Sequence, residues 1–348
     1  MSIYDKAADK AKEQLDAISP SMCYAKWAQV SMHLTNGMTH SCYHPPTHKI
    51  PLKELENNIT ALHNTEEKKE QRRQMLKGER PDGCSYCWKI EDTGARSDRV
   101  YRSGEYWAQE SKEDILDAGA GGNINPRYVE VNFNQACNFK CSYCSPHLSN
   151  SWEKEIKEFG PYDVVEGEHN NLDSLKQKGL MPLKVAQAEN PYVTAFWKWW
   201  PELYRDLHTF RITGGEPMLA KDTWKVLDYI IDEPNPNKDL NFAINSNLGL
   251  GDDMIDKLIG KINKIEDEDR VNEFIIFTSV DTWGPQADYI RNGLEFNRFW
   301  DNLNKLLSSL DKVVVTIMST YNALSVPNYR PLIHNVYDLK QQYFSEDR

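Results

Sequence analysis

The sequence predicts an α/β protein, in which a parallel sheet with crossover helices follows a small α+β region. Over its last 140 or so of 348 residues, apolar strand-like segments alternate with amphipathic helical ones, as in a parallel sheet. Asn36-Gly37 lies between two strand-like segments near the start and predicts a β-hairpin. The predicted parallel strands cover residues 209–213, 240–245, 273–280 and 312–319.

Within the first 92 residues, apolar spacing near 3.6 predicts helices and apolar–polar alternation predicts strands. At Asn36-Gly37 we expect both turn positions to have a positive φ. Thr65, followed by Glu66 and Glu67, is typical of a helix start with acid in its first turn. The predicted elements are a helix over 5–18, strands over 26–34 and 38–43, and helices over 52–63 and 65–77.

Further along the chain, a glycine cluster at 119, 121 and 122 marks a flexible connector. The long polar segment 160–190 predicts either a substrate lid or surface decoration. The aromatic residues of 192–207 lie at helical spacing, which favours core packing over a stacking surface for a base. The other predicted elements are a strand over 128–133 and helices over 149–159, 221–231, 252–262, 296–310 and 329–343.

Composition narrows the class of protein. With 40% hydrophobic and 11% aromatic residues, the chain can bury a sizeable core. A net charge of −11 argues against a general phosphate-binding surface, although not against a local basic groove. We expect no membrane segment and no signal peptide. Seven cysteines without a secretion signal fit metal ligation in a reducing, cytoplasmic compartment better than disulfides.

Two motifs carry the chemistry. Cys137, Cys141 and Cys144 have a C-x3-C-x2-C spacing directly after the strand predicted over 128–133. Three thiolates on one loop can hold three irons of a 4Fe–4S cube and leave the fourth iron open to a ligand that is not protein. The strand predicted over 209–213 runs into Gly214-Gly215-Glu216-Pro217, where the glycines let backbone approach a ligand closely. A three-cysteine zinc fragment would not explain this second motif.

These two motifs, in this order, resemble those of the radical S-adenosylmethionine (SAM) superfamily. The resemblance implies a partial (β/α) TIM-like barrel of five or six parallel strands over 127–348. It implies that the three cysteines hold the SAM-binding 4Fe–4S cluster, and that Tyr143 packs near the adenine. The turn formed by Gly214, Gly215, Glu216 and Pro217 would receive the methionine amino group. Few residues follow 319, so we expect either an open barrel edge or a partner chain that covers it.

Two further segments match the superfamily at the ends of later strands. Asn245, Ser246 and Asn247 fall where the third strand of the superfamily ends in a polar turn. Ser279 and Asp281 form an S-x-D at the end of the fourth strand, and Arg291 lies twelve residues beyond Ser279. The resemblance implies that the Ser and the Arg hold the ribose and the methionine carboxylate. Alternatively, Arg291 is a surface residue and Asp281 only caps the next segment.

Four cysteines remain, namely Cys23, Cys42, Cys84 and Cys87. The hairpin is expected to bring Cys23 and Cys42 together. A hairpin, a helix and a C-x2-C resemble the twitch domain, the one-cluster relative of the SPASM domain, here placed before the barrel. The resemblance implies an auxiliary 4Fe–4S cluster; a structural zinc is the alternative. The expected organisation is an N-terminal helix over 1–20, the auxiliary domain over 21–92, a connector over 93–126 and the barrel.

The resemblance implies an enzyme that reductively cleaves SAM to a 5′-deoxyadenosyl radical, which abstracts a hydrogen from the substrate. Flavodoxin or ferredoxin would supply the electron. Auxiliary-cluster relatives commonly modify peptides or proteins, so a peptide or protein side chain is the expected substrate. Modification or rearrangement of a nucleotide, or of a base in phage-type hypermodified DNA, is a second reading. A third reading is a non-catalytic iron–sulfur or zinc scaffold.

Overall fold

In the computed structural model, which describes residues 3–163, 167–186 and 189–343, the chain forms two compact units. The first comprises Met1–Val131 and Val185–Phe210, and the second comprises Asn132–Lys184 and Arg211–Arg348. Within the described residues, no helix is both long and apolar enough to cross a bilayer.

The helices of the described residues follow one another along the chain, and several are a single turn or two long. In chain order they are α1 (Ile3–Asp16), α2 (Ala25–Ala28), α3 (Leu52–Asn57), α4 (Glu66–Leu76), α5 (Ser85–Glu91), α6 (Asp98–Ser103), α7 (Tyr106–Glu110), α8 (Lys112–Ala118), α9 (Asn150–Phe159), α10 (Leu172–Gln177), α11 (Pro191–Asp206), α12 (Lys221–Asp232), α13 (Asp252–Asp267), α14 (Pro285–Ile290), α15 (Phe296–Ser309) and α16 (Val326–Tyr343).

The strands are two to seven residues long. In chain order they are β1 (Gln29–His33), β2 (Met38–His40), β3 (His48–Lys49), β4 (Tyr128–Asn132), β5 (Lys140–Cys141), β6 (Thr209–Thr213), β7 (Asn241–Ser246), β8 (Glu273–Ser279), β9 (Arg291–Asn292) and β10 (Val314–Met318).

The first unit contains the predicted hairpin. Strands β1 and β2 pair antiparallel with Ser31 opposite His40, and the strand order is β4-β1-β2-β3. Gly37 has φ +69°, and a Cβ there would lie 2.1 Å from the Tyr192 ring. Two predictions were wrong: Asn36 does not share the positive φ, and residues 25–28 form the short helix α2 instead of the start of a strand. A turn longer than two residues removes the need for a second positive φ.

Segments expected to be irregular contain helices. The connector predicted over 93–126 holds α6, α7 and α8, and the segment 160–190 holds α10. Residues 164–166 and 187–188 of that segment lie outside the described residues, so its role as a lid stays a prediction. The aromatic helix α11 is buried, with Phe196, Trp199 and Trp200 at 0% exposure. Core packing is therefore confirmed, and these rings are not available for stacking on a base.

The second unit contains the predicted parallel strands. They are neighbours in the order β6-β7-β8-β10, and β7–β8 and β8–β10 pair parallel. Alternate residues of β8 are buried, as expected for a sheet with one face on a core. The α/β class with a mostly parallel sheet is thereby confirmed. Among the described residues β10 is the edge strand, and a groove lined by β10, α15 and α16 runs beside it. The number of barrel strands stays a prediction.

Candidate functional site

The loop that follows β4 in the second unit carries Cys137, Cys141 and Cys144. The three thiols are close enough that each pair interacts electrostatically, because a charge on one raises the pKa of the next. Burial is the main cause of their high pKa values, about 11 for Cys137 and about 11 for Cys141. A bound metal would reverse this preference, since it deprotonates a coordinating thiol outright.

Three glycines from three separate turns press against this loop. A Cβ on Gly215 would lie 2.4 Å from the Ala136 carbonyl oxygen, and one on Gly293 would lie 2.7 Å from the Asn138 carbonyl oxygen. A Cβ on Gly249 would lie 2.2 Å from the Phe139 ring. These positions have no room for a side chain, so the glycines let three turns fix the cysteine loop by direct backbone contact.

The start of α9 holds the other side of the loop. Asn150 Oδ1 accepts from the Cys137 amide at 3.0 Å, and Ser151 Oγ donates to the Cys137 carbonyl at 2.6 Å. Ser149 caps the helix and donates to the Phe139 carbonyl at 2.8 Å. Trp152 Nε1 donates to the Cys141 carbonyl at 2.9 Å. The backbone that carries the thiols is therefore anchored before any metal binds.

Two donors point at the sulfurs themselves. The Phe139 amide donates to Cys137 Sγ at 3.4 Å, and Arg291 Nη1 lies 3.7 Å from Cys141 Sγ. Hydrogen bonds to thiolates stabilise their negative charge and are a common feature of iron–sulfur ligation. The thiols and their donors therefore fit a soft-metal cluster with three protein ligands.

Glu216 is fully buried and ties two strand ends together. It accepts hydrogen bonds from the Asn247 amide at 2.7 Å, the Met218 amide at 3.1 Å and Ser246 Oγ at 3.0 Å. Burial raises its pKa to about 7, although these donors oppose the shift. Glu216 and Ser246, both predicted to bind SAM, thus hydrogen-bond to each other and stabilise the turn. Pro217 begins the short 3-10 helix that follows.

A polar atom beside this turn has no partner within the described part of the chain. Asn132 Oδ1, at the end of β4, is buried without a hydrogen bond, and a Cβ on Gly214 would lie 2.7 Å from it. This contact leaves no room for a side chain at position 214, so Gly214 lets the turn pack directly on the end of β4.

Arg291 is 6% exposed and is held by Asp281. Its Nε and Nη2 donate to the two Asp281 oxygens at 2.8 and 3.2 Å, and Tyr143 OH donates to Asp281 Oδ2 at 2.8 Å. Pairing of β5 with β9 sets Arg291 opposite Cys141. The alternative that Arg291 is a surface residue is excluded. The Arg291 guanidinium is therefore paired with a carboxylate of the same chain. Ser279, the other residue of this predicted pair, is half-buried at the end of β8.

Asn245 is also engaged within the chain, since its Oδ1 accepts from Arg211 Nε at 2.7 Å. Asn247, the third residue of this predicted polar turn, donates from its Nδ2 to Asn138 of the cysteine loop at 2.8 Å. Asn132 and the serines around α9 were missed. The only signal in the sequence was the density of Asn and Ser around the cysteines, which by itself does not distinguish loop anchors from solvated residues.

The second cysteine set lies in the first unit. Cys23, Cys42, Cys84 and Cys87 line one cavity, and each of the six pairs interacts electrostatically. Burial raises the pKa of Cys23 to about 12 and that of Cys87 to about 11. Among the described residues, no three His, Cys, Asp or Glu side chains are grouped as ligands of a single ion. Four thiols at one cavity match the ligand number of both a 4Fe–4S cluster and a structural zinc, so the choice between the two stays a prediction.

Comparisons with known proteins give one sequence match and one structural likeness. No known family profile matches the chain. It is 26% identical over 198 residues to a GTP 3′,8-cyclase of Sulfurimonas denitrificans, and the match covers 56% of this chain and 47% of that protein. The solved structure of native anSMEcpe with bound AdoMet gives a TM-score of 0.34 at 16% identity, covering 61% of this chain and 48% of that chain.

The chain thus spans about half the length of the relatives it matches. The sequence match supports the resemblance to the radical SAM superfamily as a whole, and not to a particular reaction within it. A TM-score of 0.34 is too low to compare the two folds in detail.

Proposed function

We propose that the protein is a radical SAM enzyme. The observation that carries the proposal is the loop of Cys137, Cys141 and Cys144, anchored on one side by α9 and pressed on the other by Gly215, Gly249 and Gly293. This anchoring keeps three thiols together where no fourth protein ligand is predicted. When bound, the cluster and SAM would supply a 5′-deoxyadenosyl radical; the chain would supply position and shelter from water.

The residues take distinct roles in this proposal. The Gly214-Gly215 turn, which packs on Asn132 and on the cysteine loop, would receive the methionine end of SAM. Tyr143, 40% exposed at the loop surface, offers a ring to the adenine. The Arg291–Asp281 pair holds Cys141 by strand pairing and by the contact with its sulfur. The four cysteines of the first unit hold an auxiliary 4Fe–4S cluster.

The test is anaerobic reconstitution with iron and sulfide, followed by SAM and dithionite. We expect about eight irons per chain and formation of 5′-deoxyadenosine. Cys141→Ser should lose the cleavage, whereas Ser142→Ala, an exposed position on the same loop, should retain it. Zinc in place of iron, with no cleavage, would instead identify a scaffold.

For the substrate we propose a peptide or protein side chain, which follows from the resemblance of the first unit to auxiliary-cluster domains. A nucleotide is the second candidate, because the curated relative is a GTP 3′,8-cyclase. Neither candidate substrate is argued from the aromatic helix α11, in which Phe196, Trp199 and Trp200 are buried. Deuterium transfer into 5′-deoxyadenosine distinguishes the two candidates. Transfer from GTP deuterated on its ribose would support a nucleotide substrate. Transfer from a deuterated synthetic peptide, with the sequence of a precursor encoded beside this gene, would support a peptide substrate.

A further inference from the structure

Three cations lie in the interior of the first unit without a carboxylate in ion-pair contact among the described residues. Lys26 is 2% exposed, and Lys68 and Arg72 are 0% exposed. Their side chains bond to neutral groups instead. Lys26 Nζ donates to Gln71 Oε1 at 2.6 Å, Lys68 Nζ lies 3.1 Å from His63 Nδ1, and Arg72 Nη1 donates to Asn64 Oδ1 at 3.1 Å. Burying charge in this way is unfavourable unless an opposite charge is close.

The acidic groups nearby do not balance these cations. Arg99 pairs with Glu91 through two hydrogen bonds, and Arg102 pairs with Glu105. Asp98 pairs with His44 at 2.6 Å. Glu67 attracts Lys26 and Lys68, but its side chain is 54% exposed and lies 3.7 Å from His48. Water therefore screens Glu67, and Lys26 and Arg72 remain buried positive charges. Burial, together with the charges of Arg72 and Lys26, lowers the pKa of Lys68, so the charged form of Lys68 is also unfavourable without a nearby negative group.

The cysteine cavity is the place where negative charge would balance them. Lys26 lines the same cavity as Cys23, Cys42, Cys84 and Cys87. Cys42 interacts electrostatically with Lys26 and with Lys68, while Arg72 and Lys26 repel Lys68. Thiols lose their protons when they bind metal. Four thiolates around a 4Fe–4S core leave the centre with net negative charge, and one-electron reduction adds one more.

We propose that Lys26, backed by Lys68 and Arg72, is the counter-charge of the four-cysteine centre and makes that centre easier to reduce by one electron. The inference rests on the proposed auxiliary cluster. Reduction adds an electron from an external donor, dithionite or a flavodoxin-type carrier, and makes or breaks no bond. A buried cation stabilises the more negative, reduced form more than the oxidised form, because Coulomb energy grows with charge and with low dielectric. An easily reduced centre is suited to accept an electron during the reaction.

The test uses the full chain with Cys137, Cys141 and Cys144 changed to Ala, so that the four-cysteine centre is the remaining iron site. A dithionite titration followed by EPR compares Lys26→Met, Lys26→Arg and Lys53→Met in this background. Lys53 is an exposed lysine of the same unit, so Lys53→Met removes the same charge at a position where water screens it. The comparison is made at the midpoint reduction potential of the protein that carries only the three Cys-to-Ala changes. At that potential we expect the ratio of reduced to oxidised cluster in Lys26→Met to be at least tenfold lower, which equals a 59 mV lower midpoint potential for one electron. Lys26→Arg and Lys53→Met should stay within about twofold.

The outcomes separate the two proposals. Zinc in the background protein would overturn the auxiliary cluster and the redox role of Lys26 together. About four irons per chain with an unchanged potential in Lys26→Met would overturn the role of Lys26 alone. If Lys26→Met does not retain iron, the iron content of Lys26→Arg decides. Iron retained in Lys26→Arg would support a requirement for positive charge at this position. Iron lost from both variants would overturn the proposal that Lys26 acts as a counter-charge.

Discussion

At the residue scale, Gly215 packs directly against the backbone of the cysteine loop. A Cβ there would lie 2.4 Å from the Ala136 carbonyl oxygen and 3.0 Å from Cys137 Cβ. We predict that Gly215→Ala displaces Cys137, lowers the iron content from about eight to about four per chain, and abolishes SAM cleavage. Iron analysis and 5′-deoxyadenosine assay measure both.

Gly260→Ala is the matched control for this change. Gly260 lies on the exposed side of α13, and a Cβ there meets nothing within 4 Å. Removing a glycine from a helix interior stabilises by about 0.5–1 kcal/mol. Full iron content in Gly215→Ala would show that the loop tolerates the added methyl group, contrary to the contact geometry.

Glu216 predicts a pH dependence of stability. Its pKa is raised from 4.5 to about 7 by burial, so the folded state binds the proton more tightly than the unfolded state does. Its contribution to stability is therefore present below about pH 4.5 and is lost as pH rises through about 7. We expect the unfolding free energy of the wild type, relative to Glu216→Gln, to fall over this range. Urea titrations at several pH values measure it, and parallel pH profiles for the two proteins would contradict the prediction.

Arg291 shows how far residue-level prediction reached. The resemblance implied a role at the SAM site for Arg291, twelve residues beyond Ser279, and the structure buries Arg291 beside Cys141. The pairing of its guanidinium with Asp281 was not predicted. The pairing depends on the antiparallel register of β5 and β9, two-residue strands that no periodicity in the sequence reveals.

At the element scale, the N-terminus of α9 links helix stability to the cluster site. Ser149 Oγ accepts from the Trp152 amide and donates to the Phe139 carbonyl. We predict that Ser149→Ala lowers the unfolding free energy by about 1 kcal/mol and also reduces iron retention at Cys137, Cys141 and Cys144. Thermal unfolding and iron analysis after dialysis against a chelator measure the two effects.

Asn171→Ala provides the comparison at the element scale. Asn171 caps α10 in the same unit by accepting from the Asp173 and Ser174 amides, and no hydrogen bond links it to the cysteine loop within the described residues. It should lose similar stability but keep its iron. Equal iron loss in Ser149→Ala and Asn171→Ala would assign the effect to general destabilisation.

At the scale of the whole molecule, the two cysteine sets belong to different compact units. We therefore predict that each set takes up its metal independently. Changing Cys84 and Cys87 to Ser should leave about four irons and the ability to cleave SAM reductively with dithionite, whereas changing Cys137 and Cys141 should leave about four irons without cleavage. Iron analysis with EPR measures this. Loss of all iron from either variant would show that the two centres assemble together.

Some properties of this protein follow from the sequence by itself. The cysteine spacing, the Gly214-Gly215-Glu216-Pro217 turn and the alternation of strands and helices each depend on neighbours in the chain, and local patterns record them directly. The buried aromatic face of α11 followed in the same way, because helical spacing of apolar residues is a local signal.

The tertiary structure determines which of these segments contact one another. Only folding brings Gly249 and Gly293 against residues 136–139, places Glu216 at the end of β7, and places Lys26 at the four-cysteine cavity. Each of these contacts joins residues far apart in the chain, and their energies depend on burial and close approach. For that reason the sequence could predict candidate ligands, while the packing around them determines their burial and position.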